Sequence, residues 1–581
     1  MYELAEISFG HGPAHYGIFA SLTSEQKAIV HTDLKPGDIL TVMAFAGTGK
    51  TTSLKAYAQA RPNLRFLYLS YNVAVKDQAA LTFPKNVTCK GVNQLAYAAS
   101  GYQYGRKLTA ALREVDVADA LNLKMGAAKA VVTAISNWHA SAATELRLCH
   151  IPASAMPGDA DAILENAKEA WELMRRRQGG LGMTHAGYVK IYQLSCPDLS
   201  DRYHVVMLDE AQDSNPAIAD VVLRQEKCAK LLVGDSHQSI YGFIGAEDSI
   251  ARPSNLGRVR RLTQCFRFGP EIAQVANVIL RDYKEERHPL LGSLAAPGRV
   301  VGPPGDPLPD VGRPYAYLAR TNATLIHAAH AALNAHMKVG FIGGLDTYNL
   351  EAFEDICHLA MGNKDLIQTA LLRRFKDLDT FRRHVDNTDD VQWRSRIRMF
   401  DEGCMSSSED DVLRGLRQIK RQAVKVEDAS IILSNVHKAK GLEFDTVVLA
   451  NDFTDLSFDD FDWVKETPTT MRQALEEVNL LYVALTRAKR VLYLNSNIQA
   501  YLTRKCAWEG AAVMQVWLPA PYMTVPYIMV SCRWRRAPSL LLTMAGLKTG
   551  EEECIKYSLI QLLMHETLLT FLFFDSLLGC C

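Results

Sequence analysis

The stretch ILTVMAFAGTGKTTSL, residues 39–54, decides the fold. Its first six residues are apolar or β-branched with no polar alternation, the habit of a strand covered on both faces in a parallel sheet. Gly47-Thr48-Gly49-Lys50-Thr51 then turns the chain, and residues 53–60 have helical composition. Strand, glycine-rich turn and helix together read as a phosphate-binding loop, in which backbone N–H groups wrap phosphate oxygens at the positive end of the helix. In that reading Gly47, Thr48, Gly49, Lys50, Thr51 and Thr52 hold ATP, with Lys50 on the β- and γ-phosphates and the Thr51 hydroxyl on Mg²⁺. Ala44 stands where the general pattern has glycine.

Working outward, FLYLS (66–70), VVMLD (205–209) and LLVGD (231–235) are apolar runs that turn polar only at their C-terminal ends. Ligands of open parallel sheets sit beyond the strand C-termini, where these polar residues fall. The second run continues into DEAQD (209–213). Asp209 at a strand tip can hold Mg²⁺, and Glu210 beside it can polarise an attacking water as general base. Taken alone, the pair reads equally as the acidic cap of a helix. Joined to the loop, it reads as an NTPase site.

Between 97 and 189 the pattern becomes helical and rich in Ala, Leu, Glu and Arg, interrupting a first α/β domain assigned to 1–96 and 190–265. Proline and glycine crowd residues 296–314 and mark a loop. A second α/β set follows with YAYLAR (315–320), IIL (431–433) and TVVLA (446–450), which assigns 266–345 and 426–505 to a second domain. The charged, helical stretch 346–425 is a second insertion, and 506–581 is a separate tail. The expected architecture is two α/β domains, each with a mainly helical insertion.

Lys plus Arg and Asp plus Glu both total 64, so net charge gives no argument for nucleic acid, and any such groove is a local basic surface. The twelve cysteines are scattered and no basic-then-apolar leader opens the chain, which favours free thiols in a reducing compartment and no secretion. Cys532 and Cys554 each start half of a C-x-x-C pair, too little for a four-thiolate zinc site. The apolar run 568–574 is too short to span a bilayer, so no membrane partner is expected.

The phosphate loop and DEAQD fix only an NTPase; seven ordered segments narrow the class. They are LTSEQKAIV (22–30), MAFAGTGKTTSL (43–54), LDEAQDSNPAI (208–218), VGDSHQSIYGF (233–243), LTQCFRFGPEIA (262–273), VHKAKGLEFDTV (436–447) and NLLYVALTRAKR (479–490). In these the chain resembles UvrD/Rep-type superfamily 1 DNA helicases, and within them the F-box type. The resemblance implies a P-loop NTPase fold with two RecA-like parallel-sheet motor domains. It implies that Gln26 reads the adenine edge, Phe266 stacks on the ring, and Glu443 contacts the ribose. Gln238 would sense the γ-phosphate from the first domain, while Arg267 and Arg487 reach it from the second as arginine fingers. A finger on a different domain from Lys50 would tie hydrolysis to domain closure. For Arg267 the bland alternative is a surface salt bridge.

For DNA, the resemblance places Tyr71 and Asn72 in a strand-gripping loop, Phe243 and Tyr241 on the base-stacking side, and His437 near the backbone. Base stacking on aromatics suits a translocating motor because it reads no sequence. By composition alone each aromatic fits a core better, and only its place in the motifs reverses that reading. Asn93, Ile244, Asn435 and Asn479 depart from residues common in the wider family, which puts unwinding in more doubt than hydrolysis. The implied function is ATP-dependent, 3′-to-5′ unwinding in repair or recombination, on single-stranded and tailed duplex DNA. A single-strand translocase that strips proteins, or a nucleotide-gated DNA scaffold, are the rival readings. About 20 residues precede the first segment, too few for an F-box, so no ubiquitin-ligase assembly is expected. Location would be nuclear in a eukaryote and cytoplasmic in a bacterium.

Overall fold

A computed structural model describes residues 21–509 apart from 71–72, 154, 156–157, 243–244, 246–249, 251–256, 305–313, 389–392, 395, 398–399, 402–407 and 454–467. The described residues up to 504 belong to one compact unit, to which every element below belongs.

The first sheet contains β1 (Ile39–Ala44), β2 (Phe66–Ser70) and β3 (Val87–Gly91). A two-residue pair, β4 (Leu108–Thr109) and β5 (Met183–Thr184), lies apart from it. The sheet resumes with β6 (Val205–Leu208), β7 (Ala229–Gly234) and β8 (Arg258–Leu262), and its order is β3-β2-β6-β7-β1-β8. Every pairing in it is parallel. All C-terminal strand ends therefore share one edge, which collects the phosphate loop after Ala44, Asp209 after Leu208 and Asp235 after Gly234.

The second sheet contains β9 (Arg299–Val301), β10 (Tyr315–Ala319), β11 (Val339–Phe341), β12 (Ile431–Asn435), β13 (Phe444–Leu449) and β14 (Ala488–Tyr493). Its order is β11-β12-β10-β13-β14-β9, again all parallel.

Alternate residues of the first sheet enter two cores. Tyr68, Met207 and Val233 pack on one face with Leu54 and Tyr57 of the helix Lys50–Gln59. Leu67, Leu69, Val206 and Leu208 pack on the other with the helices inserted between β3 and β6. There Trp138 of Met125–Ala140 meets Trp171 of Ala160–Arg175 edge to face at 5.1 Å. Between β11 and β12, Phe353, Phe381, Leu416 and Ile419 of a second helical group join Ile431 and Leu433 in a third core. Both insertions thus extend a sheet's own core. Among the described residues no helix is long and apolar enough to cross a membrane.

Candidate nucleotide site and the contact between sheets

The phosphate loop needs its two glycines for both conformation and space. Gly47 and Gly49 sit at φ of 72° and 77°, where a side chain is strained. A Cβ on Gly47 would lie 2.8 Å from both Cys265 Sγ and Arg267 Cβ. One on Gly49 would lie 2.8 Å from Gln26 Nε2 and 3.6 Å from the Phe266 ring. Gln26 and Phe266 therefore flank the loop. The Phe266 N–H donates to Gly47 O at 2.8 Å, and the ring stays half exposed. Gln26 also closes a capping box with Thr23, its Oε1 accepting from Thr23 N at 3.1 Å. The Thr48 hydroxyl turns inward to Phe45 O at 2.8 Å and braces the loop, while Thr52 is exposed.

Lys50 Nζ lies 3.1 Å from Glu210, and the Thr51 hydroxyl 3.4 Å from Asp209 Oδ2. The buried Tyr68 phenol donates to the same Oδ2 at 2.6 Å. Glu210 takes the left-handed conformation at φ 51°, unusual for a residue with a side chain. Its side chain accepts from Gln212 Nε2 at 2.6 Å. Burial opposes the charge on Glu210, but Lys50 and Lys440 outweigh it and hold the carboxyl below its ordinary value. Burial likewise works against Lys50, yet Glu210, Asp235 and Asp209 keep it raised. Asp209 is pushed up, first by burial and then by Glu210. A hydroxyl and a carboxylate are hard oxygen donors, so Thr51 and Asp209 fit Mg²⁺.

From here a polar chain runs to the second sheet. Asp235 N donates to Gln212 Oε1 at 3.0 Å, and Gln238 Nε2 donates to Asp235 Oδ2 at 2.7 Å. Arg487 Nη2 donates to Gln238 Oε1 at 3.3 Å, across 249 positions of sequence. Arg487 is 1% exposed, its Nε held by Val483 O at 2.9 Å. Burial, then Arg267, lowers its pKa to about 9. Arg267 donates through Nε to Glu443 at 2.7 Å and through Nη1 to Thr486 O at 2.9 Å. A salt bridge at Arg267 is thus present, but its side chain is only 12% exposed.

The aromatic and backbone residues assigned to DNA divide. Tyr71, Asn72, Phe243 and Ile244 lie outside the described residues. Tyr241 faces the second sheet's segments: its phenol donates to His437 O at 3.2 Å, and Lys440 Nζ lies 5.1 Å over its ring. Burial, then Arg320, lowers His437 to about 4, so its imidazole is neutral at physiological pH. Asn435 caps the turn Val436–Ala439 through Lys438 N at 3.0 Å, a task threonine shares. Asn479 Nδ2 donates to Ser239 O at 2.7 Å, and Asn93 is exposed.

Four contributors escaped the sequence reading. Tyr482 is fully buried, with its OH accepting from Ala46 N at 3.1 Å and reaching Asp235 Oδ2 at 3.3 Å. Tyr68, Gln212 and the Lys440–Asp213 ion pair at 2.7 Å complete the set. Tyr482 lies inside NLLYVALTRAKR, five positions before Arg487, and that spacing was the available signal.

Comparison with known proteins agrees with this architecture. The family model described as the UvrD/REP helicase N-terminal domain matches residues 188–253, and that of the UvrD-like helicase C-terminal domain matches 363–499. F-box DNA helicase 1 of Gallus gallus is 33% identical over 83% of this chain and 50% of its own length. F-box DNA helicase protein 1 of Schizosaccharomyces pombe is 31% identical over 84% of this chain and 58% of its own. The mitochondrial ATP-dependent DNA helicase HMI1 of Saccharomyces cerevisiae is 33% identical over 18% of this chain and 16% of its own length. The chain thus spans about half the length of the first two relatives. Alongside its two parallel sheets and phosphate loop, the chain carries, in order, matches to the N- and C-terminal domains of UvrD-like helicases.

Proposed function

We propose that this chain is an ATP-driven motor that translocates 3′-to-5′ on single-stranded DNA and unwinds tailed duplexes, in repair or recombination. The observation that carries this reading is the polar chain Lys50–Glu210–Gln212–Asp235–Gln238–Arg487. It links a phosphate loop on one sheet to a guanidinium on a segment of the other, a route by which occupancy of the loop would bias the relative placement of the sheets.

In this reading Lys50 exchanges its Glu210 partner for phosphate oxygens, which frees the carboxylate to take a proton from the attacking water. Gln238 orients toward the γ-phosphate, and Arg267 and Arg487 stabilise the charge that develops on transfer. Bound Mg²⁺, held by Thr51 and Asp209, supplies charge neutralisation of the β- and γ-phosphates. Phe266 and Gln26 receive the adenine and Glu443 the ribose; Tyr71, Asn72, Tyr241, Phe243 and His437 form the strand path. The direction and the pathway rest on the family resemblance. The two F-box relatives, both eukaryotic, support a nuclear location.

The test is ATP turnover with and without single-stranded DNA, beside strand displacement from duplexes tailed at the 3′ or the 5′ end. DNA-stimulated turnover with displacement of the 3′-tailed duplex is expected. Stimulation without displacement of either duplex would replace helicase by translocase.

A further inference from the structure

The segment 238–242 belongs covalently to the first sheet, yet the second sheet's segments hold it along its length. Lys440 Nζ reaches Gln238 O, Asn479 Nδ2 reaches Ser239 O at 2.7 Å, and Tyr241 donates to His437 O at 3.2 Å. At its end the Gly242 N–H donates to Glu476 Oε1 at 3.0 Å. This strap starts at Gln238, on the nucleotide side, and leads directly into Phe243, on the proposed strand path.

Two neighbouring carboxylates on the helix Pro468–Leu485 have separate partners. Glu477 closes a bidentate pair with Arg320, at 2.8 and 2.6 Å, within the second sheet's own segments. Glu476 reaches across to a backbone amide of the strap. A Cβ at position 242 would lie 2.9 Å from Glu476 Oε2, so a side chain there would push this carboxylate aside. Gly242 is not among the residues with positive φ, so its backbone conformation alone would admit a side chain.

We propose that Glu476 is a positioning residue that couples DNA engagement to ATP turnover by holding the Gly242 amide. This rests on the proposed motor function. A strap anchored at Glu476 transmits a shift at Phe243 to Gln238, whereas a strap released there absorbs it locally. The bond needs an acceptor and not a charge, so glutamine at 476 keeps it and alanine does not.

The experiment compares the full chain with Glu476→Ala, Glu476→Gln and Gly242→Ala, measuring turnover with and without oligo-dT, KM for ATP, and thermal melting. Glu476→Ala is expected to lower DNA stimulation of kcat about ten-fold, the scale of one hydrogen bond to a charged group. Its DNA-free turnover and KM should stay at the parent's values, Glu476→Gln should restore stimulation, and Gly242→Ala should reproduce the loss. Parent-level stimulation in Glu476→Ala overturns the latch alone. If Glu476→Ala fails to fold, parent-level stimulation in Gly242→Ala does the same. A loss shared equally by DNA-free and stimulated turnover also overturns it. A parent whose ATPase ignores DNA overturns the proposed function itself and the latch with it.

Discussion

Lys50 and Glu210 face each other at 3.1 Å, and each holds the other charged against the burial that surrounds both. Removing either therefore does two things, and the variants must separate them. Lys50→Ala should abolish turnover, whereas Glu210→Gln, which keeps shape and an acceptor for Gln212, should bind ATP and fail to hydrolyse it. Nucleotide binding by a fluorescent ATP analogue beside turnover reads both, and normal turnover in Glu210→Gln would remove its assignment as base. Arg267 and Arg487 differ in setting. Arg267 bridges Glu443 and Thr486 O, while Arg487 is buried among Val483 O, Thr486 and Gln238. Arg267→Ala and Arg487→Lys should each lower kcat by about 10³, since lysine keeps the charge but loses the fork. Turnover within a few-fold of the parent in both would refute the shared site. Lys50, Asp209 and Glu210 were legible because each stands in a short motif whose neighbours define it. Tyr482 was not, because an apolar run hides a phenol whose two partners are 436 and 247 positions away.

At the scale of elements, legibility followed depth in the sheet. The runs read as strands correspond to β1, β2, β6, β7, β10, β12 and β13, all interior to their sheets. Within the two six-stranded sheets, the strands not read are the four edges β3, β8, β9 and β11, together with β14 beside the three-residue β9. An edge strand has one open side and tolerates charge, as in β8, whose RVRRL exposes Arg258 and Arg260. The first insertion also holds a residue that sequence could not grade. His139 is buried between Trp138 and Trp171, and burial lowers its pKa from 6.5 to about 3. Below pH 6.5 the unfolded chain takes a proton there that the folded chain refuses, so this depressed group draws stability away as pH falls. The loss runs at up to about 1.4 kcal/mol per pH unit until the folded pKa is reached. His139→Phe should flatten the fall in melting temperature between about pH 6.5 and 4.5. An unchanged slope would mean the imidazole titrates elsewhere or not at all.

Across the whole molecule, what sequence could not give is the joint between the sheets, because its bonds connect residues about two hundred positions apart. Lys440 and Asp213 are the clearest instance: 227 positions separate them, and their side chains are 8% and 6% exposed at 2.7 Å. Both lie in quoted motifs, yet nothing in either motif names the other as partner. A buried pair is not a large net stabiliser, but taking one member away strands the other and costs about 3–5 kcal/mol. Burial already lifts Asp213 to about 6 despite Lys440, so the folded state binds its proton more readily than the unfolded state does. Above that pH the carboxylate is charged and depends on Lys440; as pH falls through 6 toward 3.8 it is neutralised and the dependence fades. Lys440→Ala lifts the folded pKa further, so its deficit against the parent should be largest near about pH 8 and shrink by about pH 5.5. Thermal melting of both proteins at the two pH values measures this. Adding Asp213→Asn should recover much of the stability at high pH, because no unpaired charge is left between the sheets. ATP turnover should not recover with it, since Lys440 also helps hold Glu210 ionised and anchors Gln238 O. A deficit of equal size at both pH values would show that Lys440 acts there through packing alone, and the joint would then be steric rather than electrostatic.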